Sequence, residues 1–257
     1  MIDEVILGRN PVIEALKAGR NVTRILLADR SRGGPAEMIA GLAARKGIRV
    51  DEVDRSVLDR LAREAGYAGV KHQGVIAYVA PVPYADLDEI LRRARDAGDP
   101  PLVVALDGVE DPRNLGAIIR TAEAASAHGV IIPRHRSAGL NAVVARASAG
   151  AVEHIPVARV TNLSRTLNDL KSSGMWVVGL DPEGSCLWDA DLTGPMVVVV
   201  GGEGKGMGRL IRECCDFLVG IPMLGRVSSL NASVAAALVI YEAVRQRSGG
   251  KPHHLKG

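Results

Sequence analysis

Three stretches carry the residues whose types and spacing could do chemistry. The first, VVVVGGEGKGMGR over residues 197–209, runs four β-branched residues into a loop with glycine at 201, 202, 204, 206 and 208. A hydrophobic strand entering a glycine-rich turn is the usual cradle for phosphates, because bare backbone N–H groups can approach an anion closely. The spacing fails that reading. A P-loop needs Ser or Thr after Gly-Lys, and Gly206 follows Gly204-Lys205; the dinucleotide pattern needs glycines at offsets zero, two and five, and no start supplies them. Glu203 also places a carboxylate where an anion would sit, so the loop calls for a ligand without phosphates. The second stretch, DPRNLGAIIRTAEAA over 111–125, has Asn114 where a helix cap fits, and Arg113 and Arg120 two turns apart on one helical side. The third, IPMLGRVSSLNASVAAALVIYEAVRQR over 221–247, has Ser228, Ser229 and Asn231 around a helix start. Taken singly, caps and solvated arginines account for the second and third stretches as well as any function does.

The rest of the 257 residues must position these stretches. With 47% hydrophobic residues the chain can bury a substantial core, and its length suits one large or two moderate domains. No run of about 18 apolar residues spans a membrane, and MIDEVILGRN lacks the basic-then-apolar order of a signal peptide, so a cytoplasmic protein is expected. Cys186, Cys214 and Cys215 offer neither CxxC spacing nor an even disulfide framework, and neither metal nor disulfide is predicted. A net charge of +3 is a weak signal for nucleic acid. Aromatics are 3%, with one Phe, which leaves little for stacking platforms, so any RNA contact must lean on arginine and shape.

Asn10-Pro11 predicts a cap and first helical position, followed by the helix VIEALKA; TRILLA, IRVDEV and GVIAYVA read as strands, with helices PAEMIAGLAARKG and SVLDRLAREA between them. This predicts a small α/β unit over 1–80. Pro81, Pro83, the charged helix LDEILRRARDAG and the breaker cluster Gly98-Asp99-Pro100-Pro101 make 81–101 a linker. From 102 to 257 the strands LVVALD, GVIIP, MWVVGL, MVVVVG and DFLVGIP alternate with helices, and their unbroken apolar character predicts a parallel sheet covered on both faces. Ligands of such sheets gather beyond the carboxyl ends of strands, where the three stretches fall. The tail GGKPHHLKG reads as frayed, its histidines solvated. The last helix is apolar over most of its circumference and must be covered on more than one side, by core or by a second subunit.

In this order the three stretches resemble the three motifs of the SpoU-type RNA ribose 2′-O-methyltransferases of the SPOUT superfamily. VILGRNPVIEALKAG and KHQGVIA are similar to the small L30-like RNA-recognition domain of the members that methylate a guanosine of bacterial 23S rRNA. The resemblance implies an α/β fold whose C-terminal parallel-sheet domain carries a deep trefoil knot, with S-adenosyl-L-methionine held by backbone near Gly179, Leu180, Gly201, Gly202, Ile221, Met223 and Leu230. It implies active-site positions at Asn114, Arg120, Glu203, Ser229 and Asn231, and RNA contacts at Arg9, Arg113 and Arg120. Arg120 would bind the phosphate beside the target ribose and favour loss of the hydroxyl proton, while Asn114 and Asn231 orient the ribose and loops, and Ser229 and Glu203 brace the knot. The implied partners are 23S rRNA or a pre-ribosomal large-subunit particle and a second copy in a homodimer. A different rRNA site, tRNA, or a non-catalytic L30-like RNA-binding role are the alternatives.

Overall fold

The computed structural model describes residues 4–29, 34–67, 69–80 and 82–249. The paired histidines of the tail lie outside the described residues. The chain forms two compact units: Met1–Pro83 with Gly139–His154, and Tyr84–Ala138 with Ile155–Gly257.

In the first unit the elements run β1 (Glu4–Leu7), α1 (Arg9–Lys17), β2 (Val22–Ala28), α2 (Pro35–Arg45), β3 (Arg49–Val53), α3 (Arg55–Glu64) and β4 (Val75–Val79). They build a sheet ordered β1-β4-β2-β3, in which β4 pairs antiparallel with β1 and β2, and β2 pairs parallel with β3. Strand alternation divides the apolar side chains between two faces. Ile25, Leu27, Val75 and Ala77 point into a core with Val12, Leu16 and Ile39 of α1 and α2, while Leu26, Ala28 and Ile76 meet Leu58 and Ala62 of α3.

The same unit takes in Gly139–His154, a segment that the sequence places in the second domain. Its helix α6 (Ala142–Ala147), capped by Asn141, packs on β1. Gly150, at φ +91°, sits so close to α1 that a Cβ there would come within 2.6 Å of Glu14 Cβ. Glu153 meets Arg20 at 2.6 Å with both side chains buried, and the other face of the Arg20 guanidinium donates to Ala80 O at 3.0 and 2.8 Å. Burial pushes the Glu153 carboxyl upward, against the pull of Arg20.

The second unit contains α4 (Leu87–Ala97), β5 (Leu102–Asp107), α5 (Pro112–Ala124), β6 (Gly129–Pro133), β7 (Val157–Val160), α7 (Leu163–Ser172), β8 (Trp176–Cys186), β9 (Met196–Gly201), α8 (Arg209–Cys214), β10 (Phe217–Gly220) and α9 (Ala232–Arg247). Its six strands form a wholly parallel sheet ordered β10-β8-β9-β5-β6-β7. β5 and β9 lie at its centre and are buried along nearly their whole length, the burial expected for unbroken Val and Leu runs. One face packs Leu163, Leu167 and Leu170 of α7, Ile90 of α4 and Ile211 of α8. Glycine at 129 leaves room for Ile90, whose side chain a Cβ would meet at 2.5 Å.

Several local expectations need correction. α1 begins at Arg9 after Gly8, so Asn10 is helical rather than capping. The cap of α5 is Asp111, whose carboxylate accepts from Arg113 N at 2.9 Å; Asn114 is buried inside the helix. Two four-residue strands, β1 and β7, were too short to announce themselves by alternation.

Candidate functional site

The glycine-rich loop is built on Asp107, a buried residue ending β5. Its carbonyl accepts from Gly202 N at 2.8 Å and its carboxylate from Gly208 N at 2.7 Å, so one residue holds both ends of the loop. Within the loop Gly206 N donates to Gly202 O at 3.0 Å, folding it back on itself. The glycines are required by contact. A Cβ on Gly202 would lie 1.9 Å from Gly108 O, and one on Gly201 would lie 2.2 Å from the carbonyl carbon of Gly206. Gly204 and Gly206 add positive φ at +78° and +61°.

The three stretches meet on Glu203. Its Oε1 accepts from Asn114 Nδ2 at 2.6 Å and from Asn231 Nδ2 at 2.8 Å, and Asn231 Nδ2 also donates to Asn114 Oδ1 at 3.1 Å. Asn231 is at the same time the cap of α9, its Oδ1 accepting from Ser233 N at 2.9 Å and Ser233 Oγ at 2.6 Å. Capping therefore fixes which edge of the amide faces Glu203, so the plain structural role and the constellation coexist in one side chain.

Beside this cluster, at the carboxyl ends of β9 and β10 and against the middle of β8, opens a cavity of 610 Å³. Its walls include Leu180, Gly201, Gly202, Ile221, Met223 and Leu230, six of the seven predicted cofactor-contact positions, together with Glu203, Ser229 and Asn231. Val200 and Asp181 also line it and were missed by the sequence reading; Ser228, which that reading placed at a helix start without a cofactor role, lines it too. Among the described residues its lining holds two carboxylates, Asp181 and Glu203, and no Lys, Arg or His. Asp181 lies 3.6 Å from the Arg212 guanidinium, which is outside the lining. Such a wall repels phosphates and suits a neutral or cationic ligand with an apolar part.

Gly179 does not line the cavity. It is buried beneath it, and a Cβ there would come within 2.7 Å of Cys215 Sγ and Leu218 Cδ2, so packing accounts for this glycine. Arg113 and Arg120 are exposed on α5 and line neither this cavity nor the neighbouring one of 400 Å³, which Asn114 does line. Arg120 follows Asn114 by six residues, which turns it to another side of the helix. Arg9, in the first unit, donates Nε to Gln73 O at 3.1 Å and its amide N to the Gln73 side chain at 3.0 Å. The Cys215 thiol is pushed up to about 12, first by burial and then by Cys214, which leaves no reactive thiolate near neutral pH. No group of His, Cys, Asp and Glu side chains with metal-binding geometry occurs among the described residues.

Residues 101–241 match the SpoU rRNA Methylase family, and residues 5–85 match the RNA 2′-O ribose methyltransferase substrate binding family. YacO of Bacillus subtilis (strain 168), named for the TrmH family of tRNA/rRNA methyltransferases, is 46% identical over 95% of this chain and 96% of its own length. A protein of Mycobacterium sp. (strain KMS), named an uncharacterized tRNA/rRNA methyltransferase, is 50% identical over 95% of this chain and 77% of its own. Among solved structures, the SpoU methyltransferase AviRb from Streptomyces viridochromogenes in complex with AdoMet superposes with a TM-score of 0.79 at 30% identity, covering 96% of this chain and 91% of that one. An AdoMet-bound rRNA methyltransferase from Sinorhizobium meliloti gives 0.75 at 28%, covering 95% and 88%. With a polar cluster joining its three motif stretches and a family match over more than half its length, this chain belongs to the SpoU/TrmH family of RNA methyltransferases.

Proposed function

We propose that this protein transfers a methyl group from S-adenosylmethionine to the ribose 2′-hydroxyl of RNA, and that its target is a guanosine of 23S rRNA in the peptidyl-transferase-centre region. The observation that carries the reading is the meeting of Asn114, Glu203 and Asn231 at the wall of a cavity with two carboxylates and no basic side chain. That wall fits a sulfonium cofactor: Leu180, Ile221, Met223 and Leu230 offer apolar surface for an adenosine, the glycine backbone allows close approach, and 610 Å³ falls inside the about 300–1,000 Å³ usual for such sites. When bound, S-adenosylmethionine supplies a methyl group already activated by its positive sulfur.

The remaining task of the chain is to place the hydroxyl and ease its deprotonation. Asn114 and Asn231, locked by Glu203, would orient the ribose, with Ser229 bracing the loop opposite. Arg120 would hold the adjacent phosphate and stabilise the developing alkoxide, since a guanidinium stays charged. Arg120 is not among the residues lining the cavity, so it would meet the ribose through the bound RNA or beside a second copy. A homodimer is supported by α9, where Val234 and Tyr241 are about half exposed, seven residues apart on one helical side, close in sequence to exposed Leu224 and Val227. We further read the loops around Gly202 and Gly108 as parts of a trefoil knot, the first unit as an L30-like RNA-recognition domain, and the protein as cytoplasmic. In the described residues no helix is long and apolar enough to cross a membrane. A tRNA or another rRNA site is the second reading, favoured by relatives named for both. The test is incubation of 23S rRNA and tRNA from a deletion strain with protein and labelled cofactor. Label on one 23S guanosine ribose is expected, and label on a base, or none on RNA, would overturn the reading.

A further inference from the structure

Midway along β8 the strand leaves its register with β10. The pairing runs through Leu218–Gly179 and resumes at Val219–Ser185, so residues 180–184 have no partner on β10 and bulge out at the wall of the 610 Å³ cavity. Small residues allow this. A Cβ on Gly184 would come within 2.5 Å of Val219 N, and one on Gly220 within 3.1 Å of Asp181 O, so the bulge is packed against β10. Bulges beside a site re-aim side chains, and the charged side chain that this one delivers to the cavity wall is Asp181.

The two carboxylates of the wall are held differently. Glu203 Oε1 accepts from both Asn114 and Asn231. Asp181 accepts from Glu183 N at 2.9 Å through Oδ1, while its Oδ2 lies 3.6 Å from Arg212 Nε, beyond hydrogen-bond range, with the side chain only 14% exposed. Arg212 has a nearer partner. Its Nη2 donates to Glu183 Oε2 at 2.6 Å, and neither Arg212 nor Glu183 belongs to the cavity wall. The Arg212 guanidinium is held above its ordinary range by Glu183 first and by Asp181 second. Glu183 thus draws the cation aside, and Asp181 keeps its charge for the cavity. A largely buried anion beside a cavity with no cation on its wall acts on any charge that binds there.

S-adenosylmethionine and the product it leaves behind differ by one positive charge. Methyl transfer breaks the bond to sulfur and forms one to the ribose oxygen, whose proton is released, so a sulfonium becomes the neutral thioether of S-adenosylhomocysteine. Apolar walls such as Leu180, Ile221 and Met223 offer both molecules the same surface, because the adenosine is common to both. Resting on the reading that this cavity holds S-adenosylmethionine, we propose that Asp181 makes it prefer the charged methyl donor over the neutral product, with Glu183 keeping Arg212 from cancelling that charge. Specificity is a difference of affinities, and here one carboxylate supplies it. A product that leaves readily frees the cavity for the next donor, which matters wherever release limits turnover.

The test is calorimetric titration of the full chain with S-adenosylmethionine and with S-adenosylhomocysteine. The preference read out is the Kd of the product divided by the Kd of the donor, for wild type and for Asp181→Asn, Glu183→Gln and Arg212→Gln. Asparagine keeps an acceptor for Glu183 N and removes the charge. In Asp181→Asn the preference should fall about tenfold, the scale of one charge removed from a partly desolvated wall. It should fall about twofold in Glu183→Gln, which releases Arg212 to Asp181, and rise about twofold in Arg212→Gln, although neither side chain lines the cavity. These two variants carry the test even if Asp181→Asn does not fold. An unchanged preference in Asp181→Asn, an equal loss of both affinities, as a hydrogen bond to the shared adenosine or a merely structural aspartate would give, or shifts in the same direction in Glu183→Gln and Arg212→Gln would overturn this inference alone. Wild-type protein that binds neither molecule would overturn the cofactor reading of the cavity as well.

Discussion

Gly202→Ala tests whether the loop must lie where it does. A Cβ at this position would sit 1.9 Å from Gly108 O and 2.6 Å from Gly108 C, both backbone atoms. Real Cβ contacts essentially never fall under 3.0 Å, so the two backbone segments must separate by at least 3.0 − 1.9 = 1.1 Å. No side-chain rotation can relieve this. The Gly202 N–Asp107 O hydrogen bond, now 2.8 Å, lies on the path of that movement, and Glu203 is the next residue. Overpacking of this kind costs about 1–3 kcal/mol, or about 2–12 °C in Tm for a chain of this size. The larger effect falls on function. A shift of about 1 Å in a group that positions reactants can cost on the order of 10² in rate, and it would carry Glu203 Oε1 out of range of Asn114 and Asn231. Differential scanning calorimetry and titration with S-adenosylmethionine measure both. Gly225→Ala is the control, because its Cβ would meet nothing within 4 Å and its φ is ordinary. The expected outcome is lost cofactor binding and lowered Tm for Gly202→Ala with wild-type behaviour for Gly225→Ala. Wild-type affinity and Tm in Gly202→Ala would refute the reasoning.

Arg120→Ala should leave stability within about 0.5 kcal/mol, as for an exposed helix residue, while single-turnover methylation falls on the order of 10² with cofactor affinity unchanged; near wild-type methylation would remove Arg120 from the site. Burial holds the His128 imidazole below its ordinary 6.5, and its Nδ1 accepts from Leu102 N at 3.0 Å, which needs the neutral ring. Below 6.5 the unfolded chain takes up the proton first, so stability should fall as pH drops from about 7.5 to about 5.5, and that slope should weaken in His128→Asn when Tm is followed against pH. Arg20→Met strands a buried carboxylate and should cost about 3–5 kcal/mol in denaturant unfolding, with most of it recovered in the double variant Arg20→Met/Glu153→Met.

What could be read from residue order was whatever depends on local pattern. Unbroken runs such as LVVALD and MVVVVG announce strands buried on both faces because no other element tolerates them, and the wholly parallel sheet follows. The failed phosphate spacings, with Glu203 among the glycines, pointed to a ligand without phosphates, in keeping with a cavity wall that holds carboxylates and no cation. Asn114 shows the limit of such reading. As a sequence feature it is a helix cap; in the fold Asp111 caps the helix, and Asn114 faces Glu203 across 89 residues of chain. Asp107 gave no signal at all, since one aspartate ending a strand is ordinary until both ends of the glycine loop are found on it. The same holds for Gly139–His154, whose helix reads as part of the second domain but buries Glu153 against Arg20 of the first unit. Period, composition and turn chemistry act between neighbours in the chain, and so they were legible. Which polar groups share a hydrogen bond, which glycine is demanded by a passing backbone, and which charges line a cavity depend on atoms brought together from distant positions, and only the folded chain decides them.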